Sequence, residues 1–599
     1  EARTVALLPW LRDAFYRPQP GDDLSGNAPG PDLRPGPSMF ETPSATGPGN
    51  LPTDPGDFPV DPGDLPGPGD GPGDDPEPPR SRGLWKPKRE FTCPVTLPGE
   101  YRADEATLQY DVHTAGAGGD GKVYAVGDSL LDRASRTALE GVLATYIAAN
   151  AIPGAALAVV DDRGHLVHCT GLTNLTVHEQ HRLTRCWAGP HSAFRLGSVS
   201  KTLTAWATCR LVDLGLVPDL QARLADYVDL ERLPAPIARD EWSVFGPPEA
   251  VGVKGWDGKL DDRRDRITLE ALLTHRGGWY DDGASFARGS AGVLRWDTNV
   301  YPYVLKRNLD SNPGYMDQVI NSLLPEIAAT NRATWPVTHD HMLRYFNLWK
   351  LAFAPGSHFA YSNLGYWMLG RVIEAASCRG YESLVRELLL QPLGMSRTRV
   401  GPDVSWERGV GDVPVYSRPW PSSGTEPSRA QSYQGTTGSF TATDLKDYAP
   451  YAERSLRAAD ASGGWVASVY DLGLFLRECF VRRALLTDRR WYGQMFQYQG
   501  PTGPSSGLGY GWDLTGGKGA YGVQKGGHLD GGAAYVYNQL NARGSRGLSL
   551  AMVYNRFPFT GNETNDRNAE STLRSNLRAA LGAINLPAGP RDLFRELAR

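Results

Sequence analysis

Ser198 and Lys201 form a Ser-x-x-Lys motif that runs directly into a helical pattern of apolar residues. Residues three apart lie on the same face of a helix, so the hydroxyl and the amine are expected side by side. A serine hydroxyl is a poor nucleophile until a base takes its proton, and a neutral lysine can do this. The helix start also favours a developing anion. This motif therefore predicts a nucleophilic serine, although a capped helix with a surface lysine explains most isolated matches.

Two further motifs follow along the chain. Tyr361-Ser-Asn363 precedes a helical run, and Lys525-Gly-Gly527 precedes His528 and a strand over Ala533–Tyr537. Taken alone, Asn363 fits a helix cap, and the two glycines fit a turn. Glycines beside a strand also let a ligand approach the backbone closely, while the lysine supplies a cation. The order and spacing of the three motifs carry more information than any one of them.

Together the motifs resemble those of the serine β-lactamase and penicillin-binding protein superfamily, in which S-x-x-K precedes Y-x-N or S-x-N and then K-T-G. The tyrosine form resembles the class C-like branch of β-lactamases, D-peptidases, esterases and amide hydrolases. Three further segments are similar: Ile267–Gly278, Gly463–Leu476 and Leu508–Trp512. The resemblance covers about three quarters of the chain, roughly 130–586. It implies an α/β (α+β) fold of the β-lactamase/transpeptidase type, with an antiparallel sheet flanked by helices and a helical subdomain beside it.

The resemblance also implies a role for each residue. Ser198 would be the acylated nucleophile, Lys201 its proton acceptor, and Tyr361 a second general base. Asn363 would hold a substrate amide or orient Lys201, and Lys525 would keep Tyr361 electronegative and meet a substrate carboxylate. The oxyanion hole would consist of the backbone N–H groups of Ser198 and of His528, next to Gly527. No metal and no cofactor is expected.

The chain departs from the family pattern in two ways. Gly526 stands where the family has threonine, whose hydroxyl helps to bind the carboxylate of penicillin-like substrates, so ester or peptide substrates are favoured over β-lactams. Tyr361 lies 163 positions after Ser198, which is a long interval, and three stretches resemble insertions: 234–264, 280–335 and 413–439. Such loops either shape substrate access or are inert surface.

Elements at both ends of this region would position the motifs. A helical pattern over Ala134–Asn150 precedes apolar runs at Ala155–Val160 and His165–Cys169, which predict a hairpin. Near the other end, a second hairpin pattern and an amphipathic helix follow, over Ala533–Leu540, Gly547–Asn555 and Ala569–Ile584. We expect one sheet built from both ends, with the intervening helices as a second subdomain.

The chain before this region has a different composition. Residues 21–80 contain 16 Pro, 12 Gly and 12 acidic residues but only two basic ones, which indicates an extended acidic linker. We therefore expect a short N-terminal segment over 1–20, helical if ordered, a linker over 21–90, a connecting segment over 91–129 and a hydrolase domain over 130–590. The acidic leader and an even number of cysteines favour an extracytoplasmic, secreted or periplasmic, protein.

Other features limit the classes of function. The formal net charge of −5 gives no reason to expect nucleic acid, and no run of 18 apolar residues predicts a membrane span. The expected partner is a small-molecule or short-peptide substrate. Cys209 and Cys479 lie in apolar helical patterns that favour buried thiols, whereas Cys169 and Cys186 could be bridged.

Several alternatives stay open. A Ser-His-Asp triad through His275 is less favoured than a loop-bracing histidine, and His339 with His341 offers a weak metal pattern. The site residues could also belong to a penicillin-binding-like protein of weak activity that binds cell-wall peptide or a partner, or to an acyl transferase or peptide cyclase. The expected function is a serine hydrolase that forms an acyl-enzyme on an ester or amide, including peptide, D-amino-acid or β-lactam-like substrates.

Overall fold

The structure is a computed structural model of the 599-residue chain. It describes residues 107–112, 121–177, 187–232, 260–279, 338–347, 351, 353–403, 407–409, 411–415, 455–497, 507–515, 522–529, 532–539, 547–556, 563–587, 589 and 591–597. The expected N-terminal segment and linker, and most of the three stretches that resemble insertions, lie outside the described residues. In the described part, no helix combines the length and apolar composition needed to cross a membrane.

Twelve strands lie in the described residues. They are β1 Thr107–Val112, β2 Gly121–Ser129, β3 Gly154–Val160, β4 Leu166–Asn174, β5 Phe194–Arg195, β6 Arg399–Val400, β7 Trp465–Ala467, β8 Gly507–Leu508, β9 Asp513–Thr515, β10 Gly522–Leu529, β11 Gly532–Gln539 and β12 Ser549–Tyr554. Nine form one antiparallel sheet in the order β1-β2-β4-β3-β12-β11-β10-β9-β8, and β5-β7-β6 form a small second sheet.

The large sheet joins the two ends of the domain through the pairing of β3 with β12, with Ala156 opposite Val553 and Ala158 opposite Ala551. This confirms the expectation of one sheet built from both ends. The sheet also includes β1 and β2, which pair with each other and with β4. It therefore begins upstream of residue 130, within the stretch expected to be a connecting segment.

Twelve helices with defined bounds accompany the strands in the described part of the chain. They are α1 Arg133–Ala149, α2 Ser200–Asp213, α3 Leu269–Leu273, α4 His339–Phe346, α5 Asn363–Ser377, α6 Tyr381–Val385, α7 Gln391–Leu393, α8 Asp460–Gly463, α9 Val469–Arg477, α10 Arg490–Met495, α11 Glu563–Gly582 and α12 Leu593–Glu596. Short 3₁₀ turns lie at Gly197–Val199, Leu224–Asp226 and Asp262–Arg266, and π-helical turns follow α6 and α9 at Arg386–Leu390 and Glu478–Arg482.

The sheet separates two apolar layers because successive side chains of a strand point to opposite faces. On one face, Leu157 and Val159 of β3 pack with Leu143 of α1 and Leu577 of α11. On the other face, alternate residues of the same strand pack with α2, α5 and α9 in a larger core. The helical layer predicted beside the sheet is therefore present, and the 3₁₀ turn that leads into α2 lies against the strand β10.

The cysteines in the described residues are all free. Cys209 and Cys479 are buried, which confirms the sequence-based prediction. Cys169 is also a buried free thiol, so a bridge from it to Cys186 is wrong; Cys186 itself lies outside the described residues. Cys169 is a residue of β4, and its side chain lies in the larger core. Burial there raises the pKa of the thiol and keeps it protonated.

Candidate active site

Ser198 lies in the 3₁₀ turn between β5 and α2, where the chain passes close to β10. Gly197 has φ +51°, and a methyl group there would lie 2.7 Å from the backbone nitrogen of His528. A methyl group at Gly527 would lie 1.9 Å from the carbonyl oxygen of Leu196 and 2.7 Å from the nitrogen of Ser198. Both glycines are therefore required for the backbones of the turn and of β10 to meet.

This close approach brings together the backbone nitrogens of Ser198 and His528, the two donors expected for the oxyanion hole. Because β9 pairs only with Gly522–Gln524, one edge of β10 from Lys525 to Leu529 has no paired strand among the described residues. A carbonyl group placed along this open edge would lie beside the serine.

The hydroxyl of Ser198 has two polar neighbours. Its Oγ lies 2.6 Å from the hydroxyl oxygen of Tyr361, and the Nζ of Lys201 lies 3.1 Å from the same Oγ. Ser198 and Lys201 are one helical turn apart, whereas Tyr361 comes from the segment before α5. The structure thus gives the serine two groups that can accept its proton within hydrogen-bonding distance.

Lys201 is fully buried, and its amine is held in a defined position. It donates to Asn363 Oδ1 at 2.6 Å and to the carbonyl oxygen of Ser462, in α8, at 2.5 Å. In the neutral amine, these two acceptors would take both N–H groups and leave the lone pair for Ser198. Asn363 thus contacts Lys201, one of the two roles expected for it. The contact from Ser462 was missed because it comes from a backbone carbonyl, which leaves no side-chain signal in the sequence.

Ser362, between the two motif residues, is the N-cap of α5. Its Oγ accepts the backbone N–H of Gly365 at 3.0 Å. The interpretation of Asn363 as the cap is therefore wrong: Asn363 is the first helical residue, and its side chain is available to Lys201.

The ring of His275 packs against the ring of Tyr361. The two rings are stacked with centroids 4.4 Å apart, and Nδ1 of His275 accepts the backbone N–H of Ser362 at 3.1 Å. Burial lowers the pKa of His275 well below its usual value, and the charges of Lys525 and Lys201 lower it further. The ring is thus a neutral support of the tyrosine loop, which is the bracing role favoured by the sequence.

Lys525 lies on β10 with its amine near the same tyrosine. Its Nζ is 5.5 Å from the centre of the Tyr361 ring, and that of Lys201 is 5.0 Å away. Both amines therefore lie near the ring whose hydroxyl contacts Ser198. The amine of Lys525 also forms an ion pair with Asp513 at 3.0 Å, so a carboxylate of the protein already occupies the partner position expected for a substrate carboxylate.

The side chain of His528 points to the opposite face of β10 from Lys525, as the strand alternation requires. Its Nε2 hydrogen-bonds the carboxylate of Glu570 in α11. Arg574 of the same helix donates to Glu570 at 2.5 Å. It is therefore the backbone of His528 that lies against the turn containing Ser198. Glu570 and Arg574 were not found in the sequence because their only signal was an amphipathic helix.

The candidate metal ligands form a different kind of cluster. His339, Glu374 and Asp460 have ligand atoms within 4.8 Å of one another. Arg371, however, donates to Glu374 at 2.6 Å and to Asp460 at 2.7 Å, so both carboxylates already have a cationic partner. The ring of His341 is used in the N-terminal capping box of α4. This is an ion-pair network that joins α4, α5 and α8.

A cavity of about 800 Å³ lies elsewhere, lined by residues such as Tyr470, Arg477 and Phe594. None of the site residues lines it. The position of the chemistry is therefore indicated by the side-chain geometry around Ser198 and not by the size of this cavity.

Comparison with known proteins gives a match to a family model and matches to several curated proteins. The family model described as Beta-lactamase matches residues 139–573. The probable hydrolase clz13 of Cochliobolus lunatus is 26% identical over 247 residues, which cover 39% of this chain and 37% of that protein. The D-alanyl-D-alanine-carboxypeptidase/endopeptidase AmpH of Escherichia coli K12 is 40% identical over 68 residues, which cover 11% and 17%. The chain thus matches less than two fifths of the length of either relative.

Solved structures also resemble the chain at low sequence identity. The octameric penicillin-binding protein homologue from Pyrococcus abyssi is 19% identical, with a TM-score of 0.45 and coverage of 74% of this chain and 78% of that one. A D-stereospecific amidohydrolase from a Streptomyces species is 19% identical, with a TM-score of 0.42 and coverage of 73% and 97%.

Proposed function

Because the chain belongs to the beta-lactamase family, we propose that it is a serine hydrolase that forms an acyl-enzyme through Ser198 on an ester or amide substrate. The observation that carries this proposal is the position of the Ser198 hydroxyl between Tyr361 and Lys201. A serine with two potential bases, at the point where two backbone N–H groups meet, is the arrangement that acyl transfer requires.

In the acylation step, Ser198 Oγ would attack the substrate carbonyl carbon while its proton moves to Lys201 or Tyr361. The oxyanion would accept hydrogen bonds from the backbone N–H groups of Ser198 and His528. Each such donor typically lowers the barrier by about 3–4 kcal/mol. The bond to the leaving group then breaks as Tyr361 returns a proton to it, and the acyl group remains on Ser198.

In the second step, water would attack the acyl-enzyme with Tyr361 as the base, which releases the acid and restores the serine hydroxyl. An alcohol or amine could take the place of this water, so product analysis separates hydrolysis from acyl transfer. We propose that the hydrolase domain extends over 130–590 and, upstream, includes β1 and β2. We also propose an extracytoplasmic location, for which the acidic N-terminal segment is the supporting feature.

Burst kinetics with p-nitrophenyl acetate test the proposal. We expect a rapid first release of about one p-nitrophenolate per protein molecule, followed by slower turnover, if deacylation is the slower step. Ser198→Ala should remove both phases, while the matched control Ser357→Ala, at an exposed serine, should keep both. Hydrolysis that persists in Ser198→Ala, or no Ser198-dependent hydrolysis of any ester by the folded protein, would contradict the proposal and favour a binding protein.

A further inference from the structure

The helix α11 packs against one face of β10, beside the unpaired edge of the strand. Gly526 and His528 face this helix, on the opposite side of the strand from Lys525. A methyl group at Gly526 would lie 2.5 Å from both terminal nitrogens of Arg574. The guanidinium group therefore occupies the space that the side chain of the usual threonine would need.

Arg574 forms an ion pair with Glu570, one turn earlier in the same helix. One carboxylate oxygen of Glu570 accepts from Arg574 at 2.5 Å, and the other bonds Nε2 of His528. The Glu570 side chain is 4% exposed, whereas those of Arg574 and His528 are 20% and 35% exposed. The carboxylate thus lies behind two groups that reach the surface, and it engages both.

Glu570 stays ionised in this position. Burial alone would raise its pKa, but the charges and hydrogen bonds of His528 and Arg574 outweigh burial and lower the pKa to about 2. On the other face of the strand, the amine of Lys525 likewise forms an ion pair with a carboxylate of the protein, that of Asp513, at 3.0 Å. Cations on both faces of the open edge therefore already have carboxylate partners from the protein.

We propose that Glu570, by occupying Arg574 and His528, makes the site select esters and amides that carry no carboxylate beside the scissile bond. The proposal rests on the serine hydrolase function proposed above and narrows its substrate class. A substrate carboxylate at this edge would lie near Glu570 and Asp513, which carry the same sign of charge, and would compete with them for Arg574 and Lys525. A neutral leaving group has no such conflict.

A matched pair of substrates tests the selection directly. S-(N-acetyl-D-alanyl)-thioglycolate and its methyl ester differ only in the carboxylate of the leaving group, and both release a thiol that can be measured by colour. For the full-length protein, we expect kcat/KM to be at least tenfold higher for the methyl ester.

Glu570→Gln removes the internal carboxylate and leaves Arg574 in place. We expect this variant to lower the preference for the methyl ester at least tenfold, with most of the change in the kcat/KM of the acid. Glu374→Gln is the matched control, because Glu374 also pairs with an arginine but lies in the network around Arg371. Its preference should equal that of the unchanged protein.

The outcomes separate the two proposals. Ser198-dependent turnover with equal or better use of the acid overturns the selection but leaves the serine hydrolase function intact. A preference for the methyl ester that is unchanged in folded Glu570→Gln overturns the role of Glu570. If the unchanged protein hydrolyses neither thioester in a Ser198-dependent way but does hydrolyse p-nitrophenyl acetate through Ser198, the selection is overturned and the serine hydrolase function stands. The comparison of the two thioesters needs no variant, so a poorly folding Glu570→Gln does not remove the test.

Discussion

Individual side chains explain why Ser198 differs from the other serines of the chain. Its hydroxyl is shared by a phenol at 2.6 Å and an amine at 3.1 Å, and the amine is itself fixed by Asn363 and the Ser462 carbonyl. In the proposed mechanism, Tyr361 moves the proton between the serine and a leaving group.

Removing the Tyr361 hydroxyl is therefore expected to affect the chemical step. Tyr361→Phe should lower kcat for ester hydrolysis by about 10²–10⁴-fold, the range typical of a lost general acid–base group. Because the ring can still stack on His275, the melting temperature should change little. Tyr227→Phe, at a partly exposed tyrosine outside the site, is the control and should keep full activity. A Tyr361→Phe protein with the kcat of the unchanged protein would show that Lys201 alone moves the proton.

The contact between Ser198 and Lys201 could be predicted from the sequence, because the two residues are separated by one helical turn. The partners Asp513, Glu570 and Arg574 could not. They reach the site from a short strand and from a helix near the end of the chain, and an acidic or basic residue on an amphipathic pattern is normally a solvated surface group. Only the tertiary pairing of β10 with β9 and α11 brings them close.

At the scale of elements, the site depends on how closely β10 approaches the turn before α2. The turn and the strand meet through backbone atoms, and side chains at Gly197 or Gly527 would separate them. The two backbone N–H groups proposed for the oxyanion hole come from both elements, so their spacing follows from this contact. The sequence showed glycines beside a strand, but the reason for them is visible only in the contact between the two elements.

Gly527→Ala should push β10 away from the Ser198 turn, since its methyl group would lie 1.9 Å from the Leu196 carbonyl oxygen. We expect kcat to fall about 10²–10³-fold through the loss of one well-placed donor. Gly141→Ala in α1 is the matched control, because a methyl group there has no neighbour within 4 Å, and it should keep activity and raise helix stability slightly. Kinetics and circular dichroism of both variants make the comparison; full activity in Gly527→Ala would contradict this account of the oxyanion hole.

Most elements near the motifs could be predicted from local patterns, including α1, the hairpins β3–β4 and β11–β12, and α11. The strands β1 and β2 could not. They precede the apolar periodicity and gain their place only by pairing with β4, so their stability comes from the sheet and not from a strong local signal.

For the molecule as a whole, the two ends of the domain are held together by the β3–β12 pairing and by α1 packed with α11 on the same face of the sheet. The ion pairs of Glu570 add a link from α11 to β10. The helix α11 thus contributes to global stability and also lies beside the unpaired edge of β10.

This link predicts a pH dependence of stability. The pKa of Glu570 is lowered from 4.5 to about 2 in the folded protein, so the folded state binds this proton less readily than the unfolded chain. Its contribution, of the order of 3 kcal/mol, is therefore present above pH 4.5 and lost as the pH falls through 2. Urea unfolding between pH 2 and 7 should show a stability difference between the unchanged protein and Glu570→Gln that shrinks over this window. A difference that is constant with pH would contradict the assignment.

The central claim is that Ser198 is an activated nucleophile, and the intact mass after treatment with a fluorophosphonate probe tests it most directly. We predict one phosphonyl adduct on the unchanged protein, located on the peptide that contains Ser198, and no adduct on a folded Ser198→Ala variant. An adduct of equal yield on Ser198→Ala, or an adduct on another serine, would contradict the claim.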